Sequence, residues 1–325
     1  MTTAIDLASL YAQIPSRLNL VRASVREQWV NAFQLVYGPS ATPPRLGGKM
    51  MRPALCLMSA GAVGARDLDR FVDMATSMEL LHLAALAHDD VVDSADLRRG
   101  EPSLNRLWDN HTAVLGGDYL VARALDILTN YDSSVVIKSA LESIHQMAEG
   151  ELINFGRKQG ELNERDCIRL AEKKTASLFA VACSTPSLLI DDTHRAALSG
   201  FGMGIGTAFQ LIDDLLDLEQ SEATLGKPSC GDIVEGKTTL PILYMKAEMG
   251  DADVRRLEDM AGHEVSDDDR AWVRETLRAT GVLERTESLA RDYIEAARAA
   301  LETIPENDYT ESMLGMTEFV LARDS

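Results

Sequence analysis

The chain has 325 residues, 46% of them hydrophobic, which is enough to close a core and excludes disorder as its main state. Its 51 Asp and Glu stand against 32 Lys and Arg, a formal charge of −19, which excludes a general nucleic-acid binder because that role needs clustered positive charge. Cys56, Cys167, Cys183 and Cys230 lie far apart with no CxxC pair and no zinc spacing, and read as reduced thiols of a cytoplasmic protein.

The first residues, MTTAIDLASLYAQIPSRL, carry Asp6 and lack the basic flank and apolar run of an export signal. Leu7, Leu10, Tyr11, Ile14, Leu18 and Val21 follow three-and-four spacing, which predicts one amphipathic helix over 5–37. PSATPPRLGGK, residues 39–49, is a loop on its Pro and Gly content. Further helices are predicted over 53–64, 67–93, 103–109, 112–130, 133–157, 164–190, 194–220, 238–249, 251–261, 267–279, 281–303 and 308–322. No stretch alternates as a strand does, so the fold class is all-α. Two long uncharged stretches, Thr175 to Ile190 and Ala196 to Ile212, fall short of the roughly 18 residues a membrane span needs. One contains Pro186 and the other Gly200, Gly202, Gly204 and Gly206, so both read as buried core helices, and no transmembrane segment is expected. With no repeat and no low-complexity linker, residues 1–325 read as a single domain.

Chemistry concentrates in ELLHLAALAHDDVVD, residues 79–93, where an apolar helix ends in Asp89, Asp90 and Asp93. Positions i and i+4 share a helix face, so Asp89 and Asp93 point together, with Asp90 about 100° away. FQLIDDLLDL repeats the spacing with Asp213, Asp214 and Asp217. Carboxylates beside apolar surface are costly unless a cation neutralises them, and oxygen ligands without His or Cys suit Mg²⁺. Asp191-Asp192 and Asp267-Asp268-Asp269 serve as controls: each precedes a helical run and reads as capping acids. Asp89 and Asp213 instead sit toward the carboxyl ends of apolar helices, where the dipole disfavours them.

Mg²⁺ held by few carboxylates keeps phosphate oxygens in its shell, so a phosphorylated anionic substrate is implied. Lys49 and Arg52 in GGKMMRP, Arg98 and Arg99 in LRRGEPS, Lys174 in KKTASLF, Lys227 in LGKP and Lys237 in EGKTTLP are the cations placed to meet it. Arg98 and Arg99 follow the first acidic cluster, and Lys227 and Lys237 the second.

In this order the motifs resemble the trans-polyprenyl diphosphate synthases, head-to-tail isoprenyl transferases of the isoprenoid synthase fold, over a core from about 47 to 241. The resemblance implies an antiparallel helical barrel around a deep central cavity, with both Asp clusters at its mouth, and a homodimer. It implies that Lys49, Arg52, His82 and Arg99 hold isopentenyl diphosphate, and that Arg98, Lys174, Lys227 and Lys237 grip an allylic diphosphate. Thr175 and Gln210 would lie near the allylic carbon. Asp89 and Asp93 would bind two Mg²⁺ and Asp213, with Asp214 and Asp217, a third. Met50, Asp109 and the pair Cys230-Gly231 depart from the family pattern.

Ala85 and Ala84, four and five residues before Asp89, leave room where bulky aromatics in the family stop the growing chain, and the cavity would continue toward Leu81, Met78 and Ser77. The expected product is therefore longer than twenty carbons, in the thirty-to-forty-five-carbon range, with a farnesyl or geranylgeranyl synthase as the alternative. A class I terpene cyclase fits less well, because DDLLD stands where such enzymes mix Asn, Ser or Thr with Glu. A non-catalytic subunit of a two-component synthase would be expected to lose ligands that this chain keeps.

Overall fold

A computed structural model describes residues 6–43, 46–93, 97–98, 101–156, 162–220 and 229–322. In chain order the helices are α1 (Leu7–Leu10), α2 (Pro15–Tyr37), α3 (Met51–Ala62), α4 (Val72–Val92), α5 (Leu104–Leu107), α6 (Asn110–Thr129), α7 (Ser134–Gly156) and α8 (Glu164–Ala171). They continue as α9 (Ser177–Ser184), α10 (Arg195–Glu219), α11 (Gly231–Val234), α12 (Leu240–Glu248), α13 (Asp251–Asp259), α14 (Asp267–Ala279), α15 (Val282–Leu301) and α16 (Asp308–Leu321). The all-α expectation holds. Among the described residues the exception is a two-residue antiparallel ladder, Leu97–Arg98 with Glu101–Pro102.

Two long helices expected from periodicity are broken. The one over 5–37 divides into α1 and α2 because Pro15 occupies the first position of α2, where its missing N–H costs nothing but where it cannot continue α1. The one over 164–190 divides into α8, a π-helical turn at Glu172–Ala176, α9, and a 3-10 turn at Thr185–Leu189 that begins beside Pro186. Hydrophobic period does not distinguish an α turn from a π turn; the extra residue is visible only in the backbone. The acidic runs used as controls do cap helices. Asp191 accepts from the Thr193 N–H at 3.0 Å, and Asp267 to Asp269 form the first turn of α14 behind the Ser266 cap.

At the centre lies α10, packed against α9 on one side and α15 on the other. Its glycines make this possible. A Cβ at Gly202 would stand 2.5 Å from the Phe179 carbonyl oxygen, one at Gly204 2.7 Å from that of Tyr293, and one at Gly206 2.6 Å from the Ala176 Cα. Helix α4 packs along α6, with the Ser77 hydroxyl donating to the Ala124 carbonyl at 3.1 Å. Among the described residues no helix is long and apolar enough to cross a membrane. All four cysteines are reduced and buried.

Candidate active site

Asp89 and Asp93 end α4 and keep 15% side-chain exposure each, while Asp90, turned to another face, is wholly buried. Each of these two carboxylates meets a lysine from a distant element. Lys174 Nζ lies 3.3 Å from Asp89 Oδ2 and also pairs with Glu151 of α7. Lys237 Nζ lies 2.8 Å from Asp93 Oδ2 and also pairs with Glu235. Lys174 can do this because it sits in the π turn: Lys173 bonds Glu149 at 2.5 Å, and its neighbour is redirected to Asp89.

From the same turn Thr175 donates to Gln210 Oε1 at 2.5 Å, and Gln210 Nε2 donates to Asp214 Oδ1 at 2.6 Å. The two aspartate clusters are thus joined, through the π turn and through Lys237, whose charge acts on both Asp93 and Asp214. Asp213 is half-buried. Asp217 is 2% exposed and is held by the loop that follows: Asp217 Oδ2 accepts from the Asp232 N–H at 3.0 Å and its carbonyl from Cys230 N–H at 2.7 Å.

The electrostatics follow from burial. It pushes the Asp89 carboxyl above its ordinary range, a shift that Lys174 opposes and that Glu151 and Asp93 reinforce. Burial lifts Asp214 to about 7; the Gln210 bond works against this, and Asp213 and Asp217 add to it. Burial acts to lower Lys174 and Lys237, but the carboxylates around them outweigh it and both are held above the usual lysine value.

Of the other expected site residues, Lys49 is exposed with its ammonium 5.1 Å from the centre of the Phe319 ring, and the Arg52 guanidinium lies 4.4 Å from that of Phe179. His82 is half-buried on α4. Arg98 lies on the short ladder with its side chain outside the described residues, as are Arg99 and Lys227 altogether. Leu81 is 1% exposed and Ala84 1%, whereas Ala85 is half-buried. Ser77, Leu81, Ala84 and His88 share a helix face, and both ends of that stripe bond α6, His88 through the Val114 carbonyl at 3.2 Å. Ala84 therefore lies on the face turned to α6, and Ala85 one position round from it.

Each of the three departures from the family pattern stands at the start of a helix. Met50 is a core side chain, 8% exposed, at a left-handed backbone position that caps α3. Asp109 caps α6, accepting from the Thr112 N–H at 2.9 Å. Cys230 is buried and holds a left-handed φ of 61°.

Sequence reasoning missed Glu151, Glu235 and the two aromatic rings. Glu149 and Glu151 in AEGELINF did carry a signal, two acids two residues apart in the last turns of α7. The rings carried none, since a Phe at helical spacing reads as core.

Among the described residues no three His, Cys, Asp or Glu side chains converge closely enough to hold an ion by themselves. The donor set still suits Mg²⁺, which takes one or two carboxylates and completes its shell with phosphate and water. Lys174 and Lys237 stand where cationic charge is needed.

The all-α fold, with two carboxylate-bearing helix ends brought together beside Lys174 and Lys237, is of the isoprenoid synthase type. Residues 34–277 match the Polyprenyl synthetase family model, and the chain belongs to that family. It is 34% identical over 295 residues to the all-trans-nonaprenyl-diphosphate synthase (geranyl-diphosphate specific) of Rhodobacter capsulatus, covering 89% of each chain. It is 33% identical over 311 residues to the octaprenyl diphosphate synthase of Escherichia coli, covering 94% of this chain and 95% of that one. Among solved structures it resembles the polyprenyl synthase of Caulobacter crescentus complexed with calcium and isoprenyl diphosphate, with a TM-score of 0.87, 30% identity and 100% of both chains covered.

Proposed function

We propose that this chain is a trans-prenyltransferase that condenses isopentenyl diphosphate with an allylic diphosphate to give a polyprenyl diphosphate longer than twenty carbons, in the thirty-to-forty-five-carbon range. The observation that carries the reading is the pairing of Lys174 with Asp89 and of Lys237 with Asp93 beside the Thr175–Gln210–Asp214 chain of hydrogen bonds. Nonaprenyl and octaprenyl synthases among the relatives support the long product.

Asp89, Asp93, Asp213 and Asp217 would hold Mg²⁺, three ions per site, and bound Mg²⁺ supplies the positive charge that stabilises diphosphate as a leaving group. Lys174 and Lys237, with Arg98 and Lys227, grip the allylic diphosphate and draw its negative charge as the carbon–oxygen bond breaks. Lys49, Arg52, His82 and Arg99 hold the second diphosphate so that the isopentenyl double bond faces the allylic carbon. That double bond attacks the allylic cation, a carbon–carbon bond forms, and a proton leaves the adduct for the released diphosphate. Thr175 and Gln210 fix each other's orientation beside this carbon, and water is kept out until the bond has formed.

The same reading has one domain acting in the cytoplasm as a homodimer. Leu141, Leu152 and Phe155, at heptad-like spacing on α7, are 48%, 72% and 84% exposed, and Leu115 on neighbouring α6 is 67% exposed. A second copy of the chain would cover them. Sedimentation equilibrium tests the dimer.

The decisive experiment incubates the purified chain with isopentenyl diphosphate, allylic primers of increasing length and Mg²⁺, and reads product mass, with a chelator control. Consumption of isopentenyl diphosphate in five-carbon steps is expected. An olefin formed without it would mark a cyclase, and no reaction with any primer would mark a subunit that needs a partner.

A further inference from the structure

Lys49 follows two glycines and stands on a flexible four-carbon stem, so its charge has a wide reach unless it is held. The loop is also undercut by a cavity of about 260 Å³, walled by Gly47, Gly48, Met50, Trp29 and Glu79. The next residue, Met50, holds a left-handed backbone with φ 55° and ψ 35°. For a residue with a Cβ this costs on the order of 1–2 kcal/mol and persists only where surrounding structure imposes it.

Two contacts hold the adjoining Lys49 at opposite ends, its carbonyl and its ammonium. The Tyr11 hydroxyl, just past α1, donates to the Lys49 carbonyl at 2.9 Å. Tyr11 is 6% exposed, and burial raises its phenol far above its ordinary value, so the hydroxyl stays a donor. The Lys49 ammonium meets the Phe319 ring of α16. Both contacts belong to one assembly. Gly315 and Phe319 are one turn apart on the same face of α16, and Leu10, beside Tyr11, packs so closely on Gly315 that a Cβ there would collide with it.

We propose that Tyr11 and Phe319 are positioning residues for isopentenyl diphosphate: α1 and α16 form a latch that fixes Lys49 at both its backbone and its charge. The assignment rests on the reading of Lys49 as a ligand of that diphosphate. Preorganising a long cation removes part of the ordering cost of binding, and the cation sits on an aromatic face until the phosphate takes it.

The test measures isopentenyl diphosphate binding by calorimetry alongside steady-state kinetics in Tyr11→Phe, Phe319→Leu and Phe319→Trp. Tyr11→Phe and Phe319→Leu are expected to raise Kd and KM for isopentenyl diphosphate about three- to tenfold, with kcat and the allylic KM within about twofold of wild type. Phe319→Trp, which keeps a ring face, is expected to retain tight binding. In a Lys49→Ala background neither loss should weaken binding further, because the effect passes through Lys49. Wild type that binds no isopentenyl diphosphate overturns the assignment of the site itself. Wild type that binds, with Tyr11→Phe and Phe319→Leu folded and binding equally well, overturns the latch alone.

Discussion

The Lys237 ammonium donates to Asp93 Oδ2 at 2.8 Å, joining groups 144 residues apart in the chain. A second pair, Lys174 with Asp89, stands at the same helix end, and each lysine has a further acid, Glu235 for Lys237 and Glu151 for Lys174. In a chain of charge −19 these two half-buried cations, each beside two acids, concentrate positive charge where the two aspartate clusters meet.

Removing a carboxylate should stop turnover without unfolding the chain. Asp89→Ala or Asp213→Ala takes away a proposed Mg²⁺ ligand and no core packing. Product formation is expected to fall below detection while circular dichroism stays helical. Near-wild-type activity in either variant with Mg²⁺ would contradict the two-cluster site.

The two diphosphates should respond to different cations. A charge-assisted bond to phosphate is worth roughly 1.5–3 kcal/mol, so Arg52→Ala should raise KM for isopentenyl diphosphate on the order of tenfold or more. Lys174→Ala and Lys227→Ala should act on the allylic substrate. Equal effects on both substrates would remove the division of labour.

Asp214 makes the metal-free protein sensitive to pH. Its carboxyl is held up to about 7 in the fold by burial, whereas in the unfolded chain it titrates in the ordinary range. Between roughly pH 4 and 7 the folded state keeps a proton that the unfolded chain has released. This group's stabilisation is therefore full below that window, declines as pH rises through it and changes no further above. Thermal melts of metal-free Asp214→Asn should show a flatter profile across the window and a higher Tm than wild type at pH 8; an unchanged slope would show that Asp214 is not responsible.

Gly206→Ala tests the seam between α10 and the π turn. Its Cβ would meet the Ala176 Cα at 2.6 Å, next to Thr175. Overpacking of this kind costs about 1–3 kcal/mol. Because the strain falls on the turn that carries Lys174, both Tm and the allylic kcat/KM should drop, whereas loss of Tm alone would place the Thr175–Gln210–Asp214 chain of hydrogen bonds outside its reach.

Product length should separate the two alanines. Ala85→Phe is expected to shorten the product with little loss of Tm. Ala84→Phe, on the stripe facing α6, should lower Tm through overpacking. Unchanged product mass from a folded Ala85→Phe would show that this side chain does not meet the growing chain.

The sequence by itself determined the helical class, most helix positions and the two acidic clusters, because these are local properties: apolar periodicity selects the helix, and carboxylates ending an apolar run are visible wherever they occur. It also carried the order of motifs that marks the family. Tertiary structure decided everything that depends on which way a residue turns or on what lies across a gap. It inserted the π turn that redirects Lys174, buried Asp90 while leaving Asp89 and Asp93 at the surface of the site, and bound Asp217 to the loop that follows it. It placed Ala84 on the α6 face and Ala85 beside it, and put Tyr11 and Phe319 around Lys49. The physical reason is that hydrophobic period sets how an element is formed and which stripe is apolar, while partners are chosen by long-range packing and by the pairing of buried charges, which leave no local pattern to read.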